Sequence, residues 1–513
     1  MARARLLIAA AASLGVGLVY ADSLNLGLWS DDYLFLRPSS LADVARTFHG
    51  TWEPSGILPA FYRPLTIAYQ AAVFHVLGFN THAIHVLSLF LIAVVACLVG
   101  MFVSREAGSP RLGAIAAVLY GVHPAIARSE GPWFFLQYHS LTSIVAVVAL
   151  LLWQRRRLRD GVLSWWPVVA LATVGFAVRE SIVALLPALV VLQALRARLL
   201  RDVPAPSGGV WLMTAAHVVV LVAARQWLLG EMGGPRPDGI DWLLNLIRGP
   251  VRTLAAFQPG SWPANQVASV MSVLVLTMGG VVLARARRPR ARALLLTGAV
   301  FFVMFNLPLV LASSSTRFYL LAMAAVFMLS AAVDGWIASD GYGRYVGYGV
   351  VVLLVGSFAM ASRAAIAPQH PCGTENLDAD GQVMTWAPVP TELRAWVAGK
   401  VEACRRGEAP DLASSIRAVV WPRNGRDVVV GLNEHAASAT LRVRLTEDTP
   451  PSGLVYFRAD DGATREETVT GEWRTVAVAL SPTWLSRLRR LHRVDVWMDV
   501  RAPGALELEA TIP

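Results

Sequence analysis

The sequence predicts a polytopic α-helical membrane protein of about eleven spans, continued by a C-terminal β-sandwich-like soluble domain. Three observations carry that expectation. Of 513 residues, 55% are hydrophobic and 16% charged, whereas a soluble domain carries roughly 25% charge. Apolar stretches close to the ~20 residues that cross a bilayer recur along the first two thirds of the chain. Beyond residue 365 the charge rises and the hydrophobic runs shorten to strand length.

The first apolar stretch, 6–21, follows Arg3 and Arg5 and has no convincing cleavage site. It reads as an uncleaved anchor. Further spans are expected at 81–103, 112–127, 133–153, 163–178, 182–199, 210–229, 264–284, 293–312, 318–338 and 345–361. Between the first two lies a long loop, 22–80, in which Pro64 to Gly78 reads as a helix of mixed polarity lying in the membrane interface. A second long loop, 230–263, is rich in Gly and Pro.

Arginine placement orients these spans. With the N-terminus in the cytoplasm, the inner segments hold 17 arginines in 50 residues and the outer ones 9 in 106. A bias of that size sets the N-terminus inside, and an odd span count sends the C-terminus outside. The expected location is a bacterial inner or plasma membrane, with the C-terminal domain extracytoplasmic. The net charge of +10 does not indicate nucleic-acid binding, because the arginines cluster in short loops between spans, where topology requires them. Lys400 is the sole lysine, a mark of base-composition bias. No repeat of fixed period is visible.

The expected domains are a membrane module at 1–362, a connector at 363–410 and a β domain at 411–513. Strands are expected at 416–421, 426–432, 439–446, 453–459, 473–480, 493–500 and 505–512. Several alternate cleanly, as in Ala439-Thr440-Leu441-Arg442-Val443-Arg444-Leu445, and turn signals at Asp460-Asp461-Gly462 and Ala502-Pro503-Gly504 separate them. Trp421, Tyr456, Trp473, Trp484 and Trp497 either stack on sugars or fill the sandwich core. Cys97 lies inside a span. Cys372 and Cys404 both follow the last span, and in an extracytoplasmic setting they could form a disulfide. Closing that loop would be worth on the order of 3–4 kcal/mol.

Charged side chains inside membrane helices cost about 2.5–3.5 kcal/mol each on insertion scales, so they usually have a task. Here they gather at one level. Asp31 and Asp32 follow the first span on the outer side, in Trp29-Ser30-Asp31-Asp32-Tyr33. His82 and His85 begin the second span. His123, Arg128 and Glu130 lie where the third leaves the membrane, and Gln137 and His139 where the fourth enters. Arg179 and Glu180 mark the outer end of the fifth, and Arg317 begins the tenth. Arginine pairs with phosphate through a bidentate fork and keeps its charge. Arg63, Arg179 and Arg317 could therefore hold a phosphate at the interface, with an aspartate as general base toward a hydroxyl. One aspartate could instead cap the following helix. His82 and His85, spaced i and i+3, could bind metal or simply be interfacial polar residues. His123-Pro124 could break the third span.

The order of these residues resembles C-type glycosyltransferases, the multi-span enzymes that take sugars from polyprenyl-phosphate carriers, and within them the protein O-mannosyltransferase branch. Trp29-Ser30-Asp31-Asp32-Tyr33 is similar to that family's acidic motif. Phe61-Tyr62-Arg63-Pro64-Leu65-Thr66, with Phe79-Asn80-Thr81-His82-Ala83-Ile84-His85, is similar to its approach to the second span. Gly121-Val122-His123-Pro124, followed by Glu130 and Trp133, is similar to its third and fourth spans, and Arg179-Glu180 to a basic-acidic pair there. The likeness covers roughly residues 1–190 and thins toward 330. It implies inverting transfer, with Asp31 as base and Asp32 assisting or binding a metal. Arg63, His123, Glu130, Gln137, Arg179, Glu180 and Arg317 would contact substrate. A divalent metal, Mg or Mn, is a candidate cofactor at Asp32, His82 and His85. The implied partners are the lipid-linked donor, the bilayer, and a glycan, lipid or protein acceptor. No Gly-rich nucleotide cradle is evident, which fits a lipid-linked donor. Asp-Asp replaces the Asp-Glu of several relatives, and tetratricopeptide repeats are missing. The alternatives are a flippase of lipid-linked glycans, although no inverted repeat is visible, and a membrane anchor for a carbohydrate-binding domain.

Overall fold

The structure, a computed structural model, describes residues 2–25, 32–35, 37–50, 61–129, 134–156, 162–229, 267, 269–277, 288–310, 319–337, 342–366, 418–422, 427–433, 436–446, 453–489, 491–498 and 506–511. Asp31, Glu130, Arg317, Cys372 and Cys404 lie outside them. The chain divides into two compact units. One comprises Met1–Leu24, Ala45–Ile67 and His85–Pro368; the other comprises Asn25–Val44, Ala68–Ile84 and Gln369–Pro513.

The first unit is helical, and the chain is an integral membrane protein. In chain order the helices are α1 Ala2–Tyr20, two short helices of the first loop, α2 Asp32–Phe35 and α3 Leu41–Arg46, then α4 Pro64–Leu77, α5 Thr81–Ala107, α6 Pro110–Gly121, α7 Pro124–Ser129, α8 Gln137–Arg156, α9 Trp166–Val178, α10 Leu185–Leu199, α11 Gly208–Leu229, α12 Pro289–Val310, α13 Tyr319–Ile337 and α14 Tyr342–Ile366; α2 and most of α3 and α4 belong to the second unit. Among the described residues six helices are long and apolar enough to cross a membrane. Of the eleven expected spans, 112–127 is divided between α6 and α7, 163–178 forms the shorter α9 behind a 3-10 turn, and 264–284 falls largely outside the described residues.

Small residues let these helices approach closely, the packing device available where lipid removes a hydrophobic drive between helices. A Cβ at Gly113 would stand 2.6 Å from the Gly100 carbonyl oxygen, so α5 and α6 touch backbone to backbone. A Cβ at Gly15 would lie 3.1 Å from the backbone of Val118, which brings α1 against α6. α13 packs on α12 and is the most enclosed of the candidate spans.

A buried polar network ties one end of the bundle. Glu106 on α5 accepts from Gln154 Nε2 on α8 at 2.8 Å and from an Arg196 amino group on α10 at 2.7 Å. Arg196 also pairs with Asp202, and Trp153 Nε1 donates to Gln193 Oε1 at 3.0 Å. Three helices, α5, α8 and α10, thus share hydrogen-bonded polar groups, the pairing that burial favours.

The second unit holds two antiparallel sheets. Strands β1 Ala418–Pro422, β2 Asp427–Asn433, β3 Ser438–Leu445, β4 Gly453–Ala459, β5 Thr464–Val469, β6 Arg474–Ala479, β7 Leu491–Met498 and β8 Leu506–Thr511 form a five-stranded sheet ordered β1-β2-β7-β4-β5 and a three-stranded sheet ordered β6-β3-β8. Val430, Leu441, Val443, Phe457, Val476 and Val496, drawn from both sheets, share one apolar core. The expected turn at Asp460-Asp461-Gly462 joins β4 to β5; Gly462 takes φ +84° there, and Asp461 accepts the Ala463 N–H at 3.0 Å.

β5 was not expected. Its sequence, Thr-Arg-Glu-Glu-Thr-Val, lacks apolar alternation, and only Val469 is buried. It is an edge strand held by backbone pairing to β4, and its charged side chains suit an exposed edge. The short helix α15 Trp484–Arg489 opens on a reciprocal cap: Ser486 N–H donates to Thr483 Oγ1 at 3.0 Å, and Thr483 N–H to Ser486 Oγ at 2.9 Å.

Residues 68–84, from α4 to the first turn of α5, group with these sheets. Phe79 N–H donates to the Arg489 carbonyl at 3.1 Å, Asn80 Nδ2 to that of Leu488 at 2.9 Å, and Arg489 Nε to that of His75 at 2.5 Å. Gly78, at φ +52°, makes the close approach feasible, since a Cβ there would stand 2.8 Å from the Arg489 carbonyl oxygen. Arg489 also pairs with Asp460 at 2.9 Å.

Candidate functional site

Two helix breaks in the first unit build the site. The segment Tyr62-Arg63-Pro64 puts proline at the first position of α4, where its missing N–H costs nothing and the residue before it is held out of the helix. The Arg63 carbonyl then accepts the N–H groups of Thr66 and Ile67 at 3.1 and 3.2 Å. The second break is Arg179, extended at φ −157° and ψ 128°, between α9 and the 3-10 turn Glu180–Ala184. Thr66 Oγ1 donates to the Val178 carbonyl at 2.8 Å and so locks one break onto the other.

The side chains released by the breaks converge. Arg63 lies 4.3 Å from the Phe61 ring centroid and 5.0 Å from that of Tyr138, and Arg179 lies 5.4 Å from the same Tyr138 ring. Both arginines are buried, at 5% and 9% exposure. Two guanidinium groups that share one ring gain from its quadrupole. They also raise the local positive potential in a low dielectric, where a phosphate gains most.

Glu180 braces this arrangement. Its Oε1 accepts the Tyr62 backbone N–H at 2.8 Å and Arg225 Nε from α11 at 2.6 Å. The Tyr62 ring stands 6.0 Å from that of Phe176. Arg225 was not among the residues expected from sequence. Its signal was available: it is an arginine inside an apolar span, near the C-terminal end of that helix, and such a charge calls for a partner. Tyr138 and Thr66 gave no comparable signal.

The remaining candidates are placed differently. Gln137, first residue of α8, is buried and donates from Nε2 to Ser88 Oγ on α5 at 2.7 Å. His123 stands between α6 and α7, fully buried, with its ring 5.0 Å from Phe358. Its Nδ1 accepts the Ala125 N–H at 3.2 Å, so it caps α7, and the Val122-His123 step interrupts the helix as His123-Pro124 led one to expect. His139 is buried with its ring 4.3 Å from that of Tyr138. His85 is buried while His82 is exposed. Among the described residues no group of three or more His, Cys, Asp or Glu side chains is poised to hold a metal ion. In the second unit Asp32 opens α2 and is fully buried.

The aromatics of the β domain stand apart from its core. Tyr456 and Trp497 face each other across β4 and β7, stacked at 5.5 Å and 15°, with Arg458 5.4 Å from the Trp497 ring. Trp473 carries Arg442 at 5.0 Å and Arg444 at 4.7 Å. Trp484 is exposed. The burial of Trp421 lies outside the described side chains.

No family model matches the chain, and no curated protein matches it. Among solved structures it is similar to the arabinosyltransferase EmbB from Mycobacterium smegmatis, determined by single-particle cryo-EM, at 12% identity and a TM-score of 0.33. That match covers 98% of this chain but 64% of the EmbB chain.

Proposed function

We propose that the chain is a membrane glycosyltransferase of the C type. It moves a sugar from a polyprenyl-phosphate carrier to an acceptor hydroxyl on the extracytoplasmic face, with inversion. The observation that supports this most is the pair of buried arginines, Arg63 and Arg179, on one tyrosine ring and braced by the Glu180–Arg225 ion pair. Buried guanidinium groups gathered in a membrane protein answer to an anion, and a carrier phosphate is the anion that such a location offers.

In this reading Asp31 takes the proton from the acceptor hydroxyl. The acceptor oxygen attacks the anomeric carbon, the bond from that carbon to the phosphate oxygen breaks, and the phosphate leaves with the electron pair. The arginines stabilise the charge that develops on the departing phosphate. Asp31 rather than Asp32 is assigned the proton transfer on the resemblance of the Trp29 to Tyr33 segment; the buried Asp32 assists or holds a divalent metal. The acceptor is a glycan, lipid or protein hydroxyl.

Reconstitution in proteoliposomes with radiolabelled polyprenyl-phosphate sugars tests the proposal. Transfer to an acceptor is expected from the unaltered chain and none from Asp31→Asn, with both proteins inserted equally. Full transfer by Asp31→Asn would remove the base. Sugar-lipid translocation without transfer would favour the flippase.

For the β domain, the half-buried Tyr456–Trp497 stack, which lies outside the sandwich core, supports contact with carbohydrate, because sugars stack on aromatic rings. Glycan-array binding that persists in Trp497→Ala would rule it out.

A further inference from the structure

The first unit contains a cavity of about 530 Å³ whose lining, among the described residues, includes Arg111, Arg288, Arg290 and Arg344 against a single carboxylate, Asp334. It lies far from the Arg63–Arg179 pair in the topology, since every one of these arginines belongs to a segment assigned to the cytoplasmic side. Topology alone asks only that arginines stay on that side. It does not ask that segments distant in sequence bring four of them around one hollow.

Three helices begin at this cavity. Pro110, Pro289 and Tyr342 are the first residues of α6, α12 and α14, and Arg111, Arg290 and Arg344 lie within the first three residues of each. The positive ends of three helix dipoles therefore add to the guanidinium charge. The backbone is shaped to admit one of these groups. Gly108 takes φ +68°, a Cβ there would stand 2.6 Å from an amino group of Arg290, and that group donates to the Ala107 carbonyl at 3.3 Å. Arg111, Arg290 and Arg344 are exposed, so the cavity is open to an incoming anion. Its volume falls within the ~300–1,000 Å³ of small-ligand sites.

We propose that this cavity binds a phosphate-bearing anion, either the headgroup of an anionic phospholipid or a soluble diphosphate. Guanidinium forks match phosphate oxygens in pairs, and basic pockets between helices at the cytoplasmic face of a membrane suit phospholipid headgroups.

Native mass spectrometry of the full chain, extracted from nanodiscs of equal phosphatidylcholine and phosphatidylglycerol, is the first arm. Phosphatidylglycerol should be retained preferentially, and the retained fraction should fall about tenfold in Arg290→Gln/Arg344→Gln, as expected for losing about 1.4 kcal/mol. Arg105→Gln, on an exposed arginine at the same end of the bundle and outside the cavity lining, should retain it unchanged. The second arm adds inorganic pyrophosphate to delipidated protein in neutral detergent and reads the thermal midpoint. Lipid retention without a pyrophosphate shift identifies the headgroup as ligand, and a shift without lipid preference identifies the soluble anion. Neither effect, or equal effects in the double variant and the unaltered chain, overturns the proposal. If the double variant does not fold, Arg111→Gln and Arg344→Gln are tested singly; unchanged retention and shift in both overturn it equally.

Discussion

Arg225 reaches from α11 to Glu180, Nε to Oε1 at 2.6 Å, and the same carboxylate oxygen holds the backbone of Tyr62. One acidic group thus anchors the loop that carries Arg63 and the helix break that carries Arg179. Arg225 and Glu180 are 9% and 18% exposed at the side chain, so the pair is substantially desolvated. Removing one partner of a buried ion pair costs about 3–5 kcal/mol. Glu180→Ala should approach the lower end of that range, and Glu180→Gln, which keeps the acceptor oxygen, should cost less. Thermal unfolding in detergent reads both; an unchanged midpoint in Glu180→Ala would show that the brace is idle.

The roles assigned to Arg63 and Arg179 separate kinetically from that of the base. Losing a hydrogen bond to a charged group costs about 1.5–3 kcal/mol, or roughly 10–100-fold in donor affinity. Arg63→Gln and Arg179→Gln should therefore raise the donor KM by about that factor. Asp31→Asn should instead lower kcat. Initial rates against donor concentration make the distinction, and an unchanged KM in both arginine variants would remove them from the phosphate site.

His75 makes the second unit sensitive to acid. Burial first, then Arg489 and Arg493, hold its imidazole below the ordinary histidine value, against a smaller opposing pull from Asp495 and Asp460. A lowered value in the folded state means that the unfolded chain takes up the proton first. Stability is then complete above about pH 6.5, the usual histidine value, and is lost as pH falls through the lowered one. The melting midpoint should drop between pH 7.5 and 5.5, and His75→Gln should drop less. Equal drops in both proteins would show that His75 does not set the acid response.

The β domain should tolerate changes on its outer face far better than in its core. Phe457 is 1% exposed within the shared core, and Phe457→Ala should cost about 3–5 kcal/mol. Trp497, a strand neighbour of the Phe457 row but outside that core, should cost clearly less when replaced by alanine. Chemical denaturation of both variants would check the order, and the reverse order would mean that the stack is structural.

Much of the helical architecture was legible because burial in a bilayer imposes a long apolar run, and a run is a local property. The helix expected from Pro64 to Gly78 is α4, Pro64–Leu77. Seven strands fall where alternation placed them, while β5 escaped because an edge strand needs only backbone pairing and presents charge on both sides. The candidate site was legible in part. Arg63, Arg179 and Glu180 stood out as charges at span ends, and the structure gathers them around Tyr62 and Tyr138. His123 stood out equally, yet it caps α7 inside the bundle.

Residue order and composition alone decide that the chain enters a membrane and where many of its helices begin and break, since each follows from the solvation of a short segment. Which distant charge answers which is another matter. Glu180 meets Arg225 across 45 residues, the 68–84 segment joins the sheets, and four arginines surround one cavity only after the helices pack. No local periodicity records these pairings, because they depend on helix crossings set by close contacts such as Gly100 against Gly113.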